Sequence, residues 1–337
     1  MSTFNKAKRF RWAKHFHRTL IAFIAILAAF GAVKIIETLQ PETRIGHFRS
    51  KKGFEEYQLH YSDALAEMPT PARTQTIATT YGDVRVYEWE TPETKDTIPI
   101  ILLPGRASGV PMWSENLNGF AGKHRVIAVD AIGDAGLSIQ RLPLTTAEEQ
   151  GAWINEVVSE VAPHGAHIVG HSFGGSTATI YARTHPNNVV SLTLLEPAFT
   201  FGYPPISVFL WGSMTQLPGV PKSIREYALG KISGTEYSDT TAVARMINTA
   251  ATEYSSNLPT PTPLTEHQAQ TLTMPVYVAL ASDSKIVGVQ DTTEVTALLP
   301  HAMVKRWEHT THSLPMEVAK PLTSELEAFW HAAEKNH

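Results

Sequence analysis

Gly170, His171, Ser172, Phe173 and Gly174 form a G-x-S-x-G turn, and Gly175 follows it. An apolar run at 167–169 precedes the turn, and a helix-forming run at 176–183 follows. The order strand, sharp bend, helix raises a serine hydroxyl to the edge of a sheet. The bend is tight, so Gly170 and Gly174 keep its neighbourhood free of side chains. Ser172 is therefore a candidate nucleophile. The N–H of Phe173 is a candidate donor to an oxyanion developing beside it.

A serine hydroxyl is a poor nucleophile unaided. It needs a base within hydrogen-bond reach, and the base needs an acid to orient it. On strand–turn–helix scaffolds of this kind the chain order is nucleophile, acid, histidine. His309 and His312 both follow the last apolar strand. His312 is favoured because it leads directly into a helix-forming segment with Pro315 and Glu317. A metal pair of His309 and His312 lacks a credible third ligand. Two carboxylates compete for the acid. Asp283 follows the strand before the last one, and Glu196 ends the strand after the elbow helix. Both loops lie at strand C-termini, where sites in open α/β sheets gather. Glu196 is slightly preferred, since an acid between Leu195 and Pro197 is hard to place as a solvated residue. The second oxyanion donor is expected from the loop after Leu103, where Gly105 permits close approach and Arg106 or Ala107 carries the N–H.

Apolar strands at 98–103, 125–130, 167–169, 189–195 and 275–280 alternate with helical segments, and a short last strand falls at 304–307. That alternation predicts an α/β fold with a doubly wound, mostly parallel sheet covered on both faces. Two further strands are expected across 77–89, joined at Gly82 and Asp83. A capping box at 146–149 is expected to open the helix bearing Trp153 and Val157. Residues 53–67 read as a helix with Phe54, Tyr57, Tyr61 and Leu65 on one face. Residues 199–270 break the rhythm with many prolines and aromatics, and read as a helical lid inserted over the strand C-termini.

The chain has 337 residues, 43% of them hydrophobic and 18% charged, enough to bury a large core. A net charge of −4 gives no reason to expect a nucleic-acid partner. The absence of cysteine excludes disulfides, thiolate metal sites and a cysteine nucleophile. The first 18 residues carry six Lys or Arg and no acid. Residues 19–36 follow as an apolar run with one charge, Lys34. As a helix this run reaches ~27 Å, close to a hydrocarbon core. It reads as a signal anchor with the basic flank in the cytoplasm and everything after Ile36 translocated. A cleaved signal peptide and a peripheral helix are the competing readings. The expected organisation is a basic tail at 1–18, a transmembrane segment at 19–36 and a connecting helical segment at 37–76. A core follows at 77–198 and 271–335, with the lid at 199–270.

The elbow at Ser172, the loop of Leu102, Leu103, Pro104 and Gly105 with Trp113 beyond it, and the stretch from Asp130 to Ser138 together resemble the α/β-hydrolase superfamily. The last of these, with Phe54, Tyr57, Tyr61, Leu65 and Pro69 ahead of the sheet, is similar to a bacterial carboxylesterase-like subgroup. The resemblance covers about residues 54–330. It implies Ser172 as nucleophile, His312 as base, and the N–H groups of Phe173 and Arg106 as the oxyanion hole. Two departures stand out. Pro104 replaces the usual histidine of the oxyanion loop, and the usual acid column falls on Ser284, one place after Asp283. An acid moved to Glu196 would explain the second. The expected activity is hydrolysis of an apolar carboxylic ester or related acyl substrate through an acyl-enzyme, with no cofactor. A non-catalytic binding protein of the same fold, an acyltransferase and a cofactor-free haloperoxidase-like enzyme are the alternatives.

Overall fold

The computed structural model describes residues 45–217, 220–234, 236–289 and 291–335. The expected tail at 1–18 and anchor at 19–36 lie outside the described residues. Among the described residues no helix is long and apolar enough to cross a membrane.

The chain begins with β1 (His47–Phe48), α1 (Lys51–Ala66), β2 (Arg73–Thr79) and β3 (Gly82–Trp89). Next come β4 (Ile100–Leu103), α2 (Ser114–Phe120), β5 (Val126–Val129), β6 (Ile139–Gln140) and α3 (Glu149–Val161). Then follow β7 (Ala166–His171), α4 (Phe173–Thr184) and β8 (Val189–Leu195). The region expected as an insertion holds α5 (Ile206–Gln216), α6 (Lys222–Ser233), α7 (Ala242–Glu253), β9 (Tyr254–Ser255) and α8 (Glu266–Ala269). The chain closes with β10 (Val276–Ala281), α9 (Thr292–Leu298), β11 (Met303–Trp307), α10 (Leu314–Glu317) and α11 (Ala319–Glu334).

The apolar strands line up in the order β11, β10, β8, β7, β4, β5, β3, β2, with β6 paired to β3. All pairs from β5 to β11 are parallel, and β3 runs antiparallel to β2, β5 and β6. Register levels the C-terminal ends that matter. Leu103 pairs with Gly170, His171 with Leu195, Ala279 with Leu195, and Ala281 with Trp307. The residues just past these ends are therefore neighbours at one edge.

Both sheet faces are covered, as continuous apolar strands require. One face packs Trp153, Val157, Val158 and Tyr181 of α3 and α4. The other packs Tyr57, Tyr61, Trp113, Phe120, Leu326 and Trp330. Polar side chains inside the strands are bonded rather than left bare. His167 Nδ1 meets Ser191 Oγ at 2.8 Å, and Trp330 Nε1 donates to Thr193 Oγ1 at 3.2 Å.

Three local expectations need correction. The hairpin turns at Thr80 and Tyr81, with Thr79 paired to Gly82, so Gly82 and Asp83 already belong to β3. The helix after Thr146 begins only at Glu149, because the Glu149 carboxylate reaches back to the N–H groups of Thr145 and Thr146. In α1 the buried face is Gly53, Tyr57, Tyr61 and Ala64, while Phe54 is partly exposed. The small residues turn inward because α7 lies against α1, and a Cβ on Gly53 would overlap Glu253.

Candidate active site

β7 ends at His171, and the chain then bends through Ser172 at φ 53° and ψ −121°. Non-glycine residues rarely adopt such a φ, and holding one there stores strain at the turn. Two glycines make the bend feasible. A Cβ at Gly170 would lie 2.4 Å from Gly174 O, and one at Gly174 would lie 2.4 Å from both Leu103 O and Pro104 O. The turn is tied to the next strand, since Ser172 N donates to Leu195 O at 3.1 Å and Ala198 N donates to Ser172 O at 3.1 Å. Phe173 opens α4, so its N–H is one of the unpaired donors of a helix N-terminus.

His312 reaches this hydroxyl from 140 residues further on: its Nε2 lies 2.8 Å from Ser172 Oγ. Its Nδ1 lies 3.2 Å from Glu196 Oε2. A carboxylate only accepts, so the proton sits on Nδ1 and leaves Nε2 free to accept from the hydroxyl. Glu196 is 1% exposed and takes a left-handed φ of 50°. Its second oxygen accepts from Ala281 N at 2.6 Å. A buried carboxylate needs such partners, and here both oxygens have one. Chemically, the line of Oγ, imidazole and carboxylate can move a proton off the serine and hold the resulting imidazolium.

Asp283, the other sequence candidate, is placed elsewhere. Its side chain is exposed and Oδ1 accepts from Ser282 Oγ at 2.9 Å. Its N–H bonds Thr310 O at 2.9 Å. His309 is likewise exposed, with its N–H on Ser282 Oγ at 2.8 Å. Those bonds brace the loop that carries His312. Thr311 completes the brace, with its N–H and hydroxyl both on the Glu317 carboxylate at 2.8 and 2.6 Å.

The loop after β4 passes close to the elbow. A Cβ on Gly105 would lie 2.8 Å from His171 Nδ1 and 3.1 Å from Ser172 Cβ. Arg106 is exposed and lays its guanidinium 5.1 Å from the Phe173 ring centroid. Among the described residues, the N–H groups of Arg106 and Phe173 have no protein acceptor.

Three positioning residues escape a reading of sequence alone. His171 is buried, and its Nε2–H donates to the His312 carbonyl at 2.9 Å. Burial, then the neighbouring His312, push its pKa down to about 3, so the ring beside the catalytic-type imidazole is neutral. Asp134 accepts from Ala107 N at 2.9 Å and from Ala135 N at 2.8 Å, which fixes the peptide next to Arg106. Burial raises its pKa, and the Arg106 charge opposes that rise. Asp130 anchors the same loop through Val110 N at 2.9 Å, and also accepts from Leu137 N and Tyr61 OH. Burial pushes its pKa up to about 6 against those bonds. The stretch 130–138 was visible as a motif, but its contact with the loop needs the fold. Among the described residues no group of three or more His, Asp or Glu side chains is arranged to hold a metal ion.

The family model described as alpha/beta hydrolase fold matches residues 98–318. An uncharacterized carboxylesterase, nap, of Bacillus subtilis is 31% identical over 152 residues, covering 45% of this chain and 49% of that protein. Carboxylesterase YbfK of the same organism is 27% identical over 151 residues, covering 45% and 50%. The aligned stretch thus spans about half the length of these curated relatives. The crystal structure of naproxen esterase from Bacillus subtilis superposes with a TM-score of 0.74 at 20% identity, covering 83% of this chain and 99% of that one. The crystal structure of CesB (YbfK) gives 0.72 at 21%, covering 83% and 98%. At those identities the structural likeness speaks for the fold. With the family model matched across well over half its length, the chain belongs to the α/β-hydrolase fold family.

Proposed function

We propose that the protein hydrolyses a carboxylic ester through an acyl-enzyme on Ser172. One observation carries this reading: Ser172 Oγ, the His312 ring and the Glu196 carboxylate stand in a hydrogen-bonded line of 2.8 and 3.2 Å at the strand C-termini. Ser172 Oγ attacks the ester carbon while His312 Nε2 takes its proton. The tetrahedral oxyanion is received by the free N–H groups of Phe173 and Arg106. Nε2 returns the proton to the departing alcohol, and the C–O bond to it breaks. Water then attacks the acyl-enzyme, passing its proton to Nε2, and the acid leaves with Ser172 restored. Glu196 holds the imidazole in the productive tautomer throughout. The two curated relatives named as carboxylesterases support an ester as the substrate class.

The aromatic insertion is read as a lid, and an apolar ester as the substrate. Residues 19–36 are read as a single membrane anchor with the hydrolase on the extracytoplasmic side. The test is turnover of p-nitrophenyl butyrate by wild type, Ser172→Ala and His312→Ala. Each substitution is expected to lower kcat by at least ~1,000-fold, and the double variant little further, because the groups act as one unit. A Ser172→Ala protein within tenfold of wild type would overturn the proposal.

A further inference from the structure

Between Glu196 and Lys222 the chain runs 25 residues without a charge. In the structure several of its large apolar side chains are exposed. On α5, Ile206, Phe209 and Leu210 are 77%, 43% and 59% exposed. Their i, i+3, i+4 spacing puts them on one face. Tyr203, just before α5, is 55% exposed, and on α6 Ile224 and Tyr227 are 44% and 56% exposed. Trp211 of α5 meets Tyr227 of α6 edge to face, with ring centroids 5.5 Å apart, which joins the two helices. The six side chains together expose on the order of 600 Å², the top of the range for the largest apolar patch on a monomer. Lysines border the patch: Lys222 is largely exposed, with Nζ 3.6 Å from Glu226 Oε1, and Lys231 Nζ lies 5.1 Å from the Tyr227 ring centroid.

The patch is linked to the catalytic edge at both ends. The Phe209 ring lies 6.2 Å from that of Phe199, three residues after Glu196. At the far end of α6, a Cβ on Gly234 would lie 3.2 Å from Asp283 O and 3.7 Å from Thr311 Cβ, next to His312. The described residues begin at 45, just before β1, and α7, which contacts α5, lies next to it in the fold. β1 pairs with β9 through His47–Ser255 and Phe48–Tyr254, immediately after α7. Only ten residues, 37–46, separate β1 from the apolar run at 19–36, a link of at most ~35 Å.

We propose that the apolar face of α5 and α6 docks onto a phospholipid bilayer surface. Apolar side chains with basic residues at the border suit an acyl–headgroup boundary. The inference rests on the reading of 19–36 as a membrane anchor, because that short link is what makes a bilayer the available apolar surface. Docked there, the catalytic edge takes substrate from the lipid phase rather than from bulk water.

The test uses the full chain reconstituted in phosphatidylcholine–phosphatidylglycerol vesicles, in a Ser172→Ala background that spares the lipid. With Trp12→Phe in place, Trp211 is the one tryptophan that is not buried, since Trp89, Trp113, Trp153, Trp307 and Trp330 all are. Vesicles with brominated acyl chains are expected to quench emission by up to about one sixth relative to unbrominated ones. Adding Trp211→Phe should abolish the quench, and Ile206→Ser with Leu210→Ser, both at exposed positions, should at least halve it. Emission unchanged by bromination, or a quench untouched by the serine pair, would overturn the proposal. Protein washed off the vesicles by alkaline carbonate would overturn it too, by removing the anchor. With Ser172 intact, turnover of water-soluble p-nitrophenyl butyrate by the Ile206→Ser, Leu210→Ser protein should stay within twofold. That readout keeps failure of docking distinct from failure of the hydrolase reading.

Discussion

Replacing Glu196 by Gln changes one atom type and no shape, so its effect can be reasoned from hydrogen bonds alone. Ala281 N donates to one carboxylate oxygen at 2.6 Å, and His312 Nδ1 meets the other at 3.2 Å. A glutamine must keep its carbonyl toward Ala281 N, or two donors would face each other. Its NH2 then faces His312 Nδ1, which can only accept. The imidazole is driven to the tautomer with its proton on Nε2, the atom that must receive the Ser172 proton. The expected loss is ~1,000- to 10,000-fold in kcat, or about 4 to 5.5 kcal/mol of transition-state stabilisation. KM should move little, since Glu196 is buried behind the imidazole. Asp283→Asn is the matched control and should stay within about twofold, its side chain being exposed and bonded to Ser282. Steady-state turnover of p-nitrophenyl butyrate, with thermal unfolding to confirm folding, reads both. Glu196→Gln at more than a tenth of wild-type kcat would refute the reasoning, as would Asp283→Asn suffering the larger loss.

Gly105→Ala should cost about 10- to 100-fold in kcat and about 1 to 3 kcal/mol of stability. Its Cβ would press on His171 Nδ1 at 2.8 Å and Ser172 Cβ at 3.1 Å, displacing the oxyanion donor at Arg106. His171 makes stability depend on pH with a definite sign. An unfolded histidine gains its proton near 6.5, the folded one only near 3, so the contribution is complete above 6.5 and drains away as pH falls towards 3. Between pH 6.5 and 4.5, urea unfolding of wild type should lose about 2 to 3 kcal/mol more than that of His171→Gln. Trp330→Ala should cost about 3 to 5 kcal/mol in the same measurement, because the indole is fully buried against Phe120 and bonded to Thr193.

The elbow is legible from sequence because its requirements are local. Gly170 and Gly174 stand where any Cβ would strike main-chain oxygens three or more residues away. The parallel core is legible for a similar reason, since β4, β5, β7 and β8 are buried at every position, β4 and β5 as unbroken apolar runs and β7 and β8 as mainly apolar ones. The choice between Glu196 and Asp283 is different. It turns on Leu195 pairing with Ala279, so that Glu196 meets the N–H of Ala281 two residues further along β10, and on a left-handed backbone at Glu196, neither of which leaves a local mark. On the inner face of α1 the spacing picks out Tyr57 and Tyr61, but not Gly53 and Ala64. Hydropathy favoured Phe54, whereas α7 packs close enough to demand Gly53 and Ala64. His171 lay inside the motif all along, yet its bond to the His312 carbonyl spans 141 residues and appears only with the loop in place.

The central claim is a covalent intermediate on Ser172. Wild-type protein mixed with p-nitrophenyl butyrate and quenched in acid within the first turnovers tests it, with intact-mass measurement and peptide mapping. The account predicts a species heavier by one butyryl group, mapped to the peptide containing Ser172 and lost in Ser172→Ala. Turnover with no acylated protein at any time, or an acyl group on another residue, would contradict it.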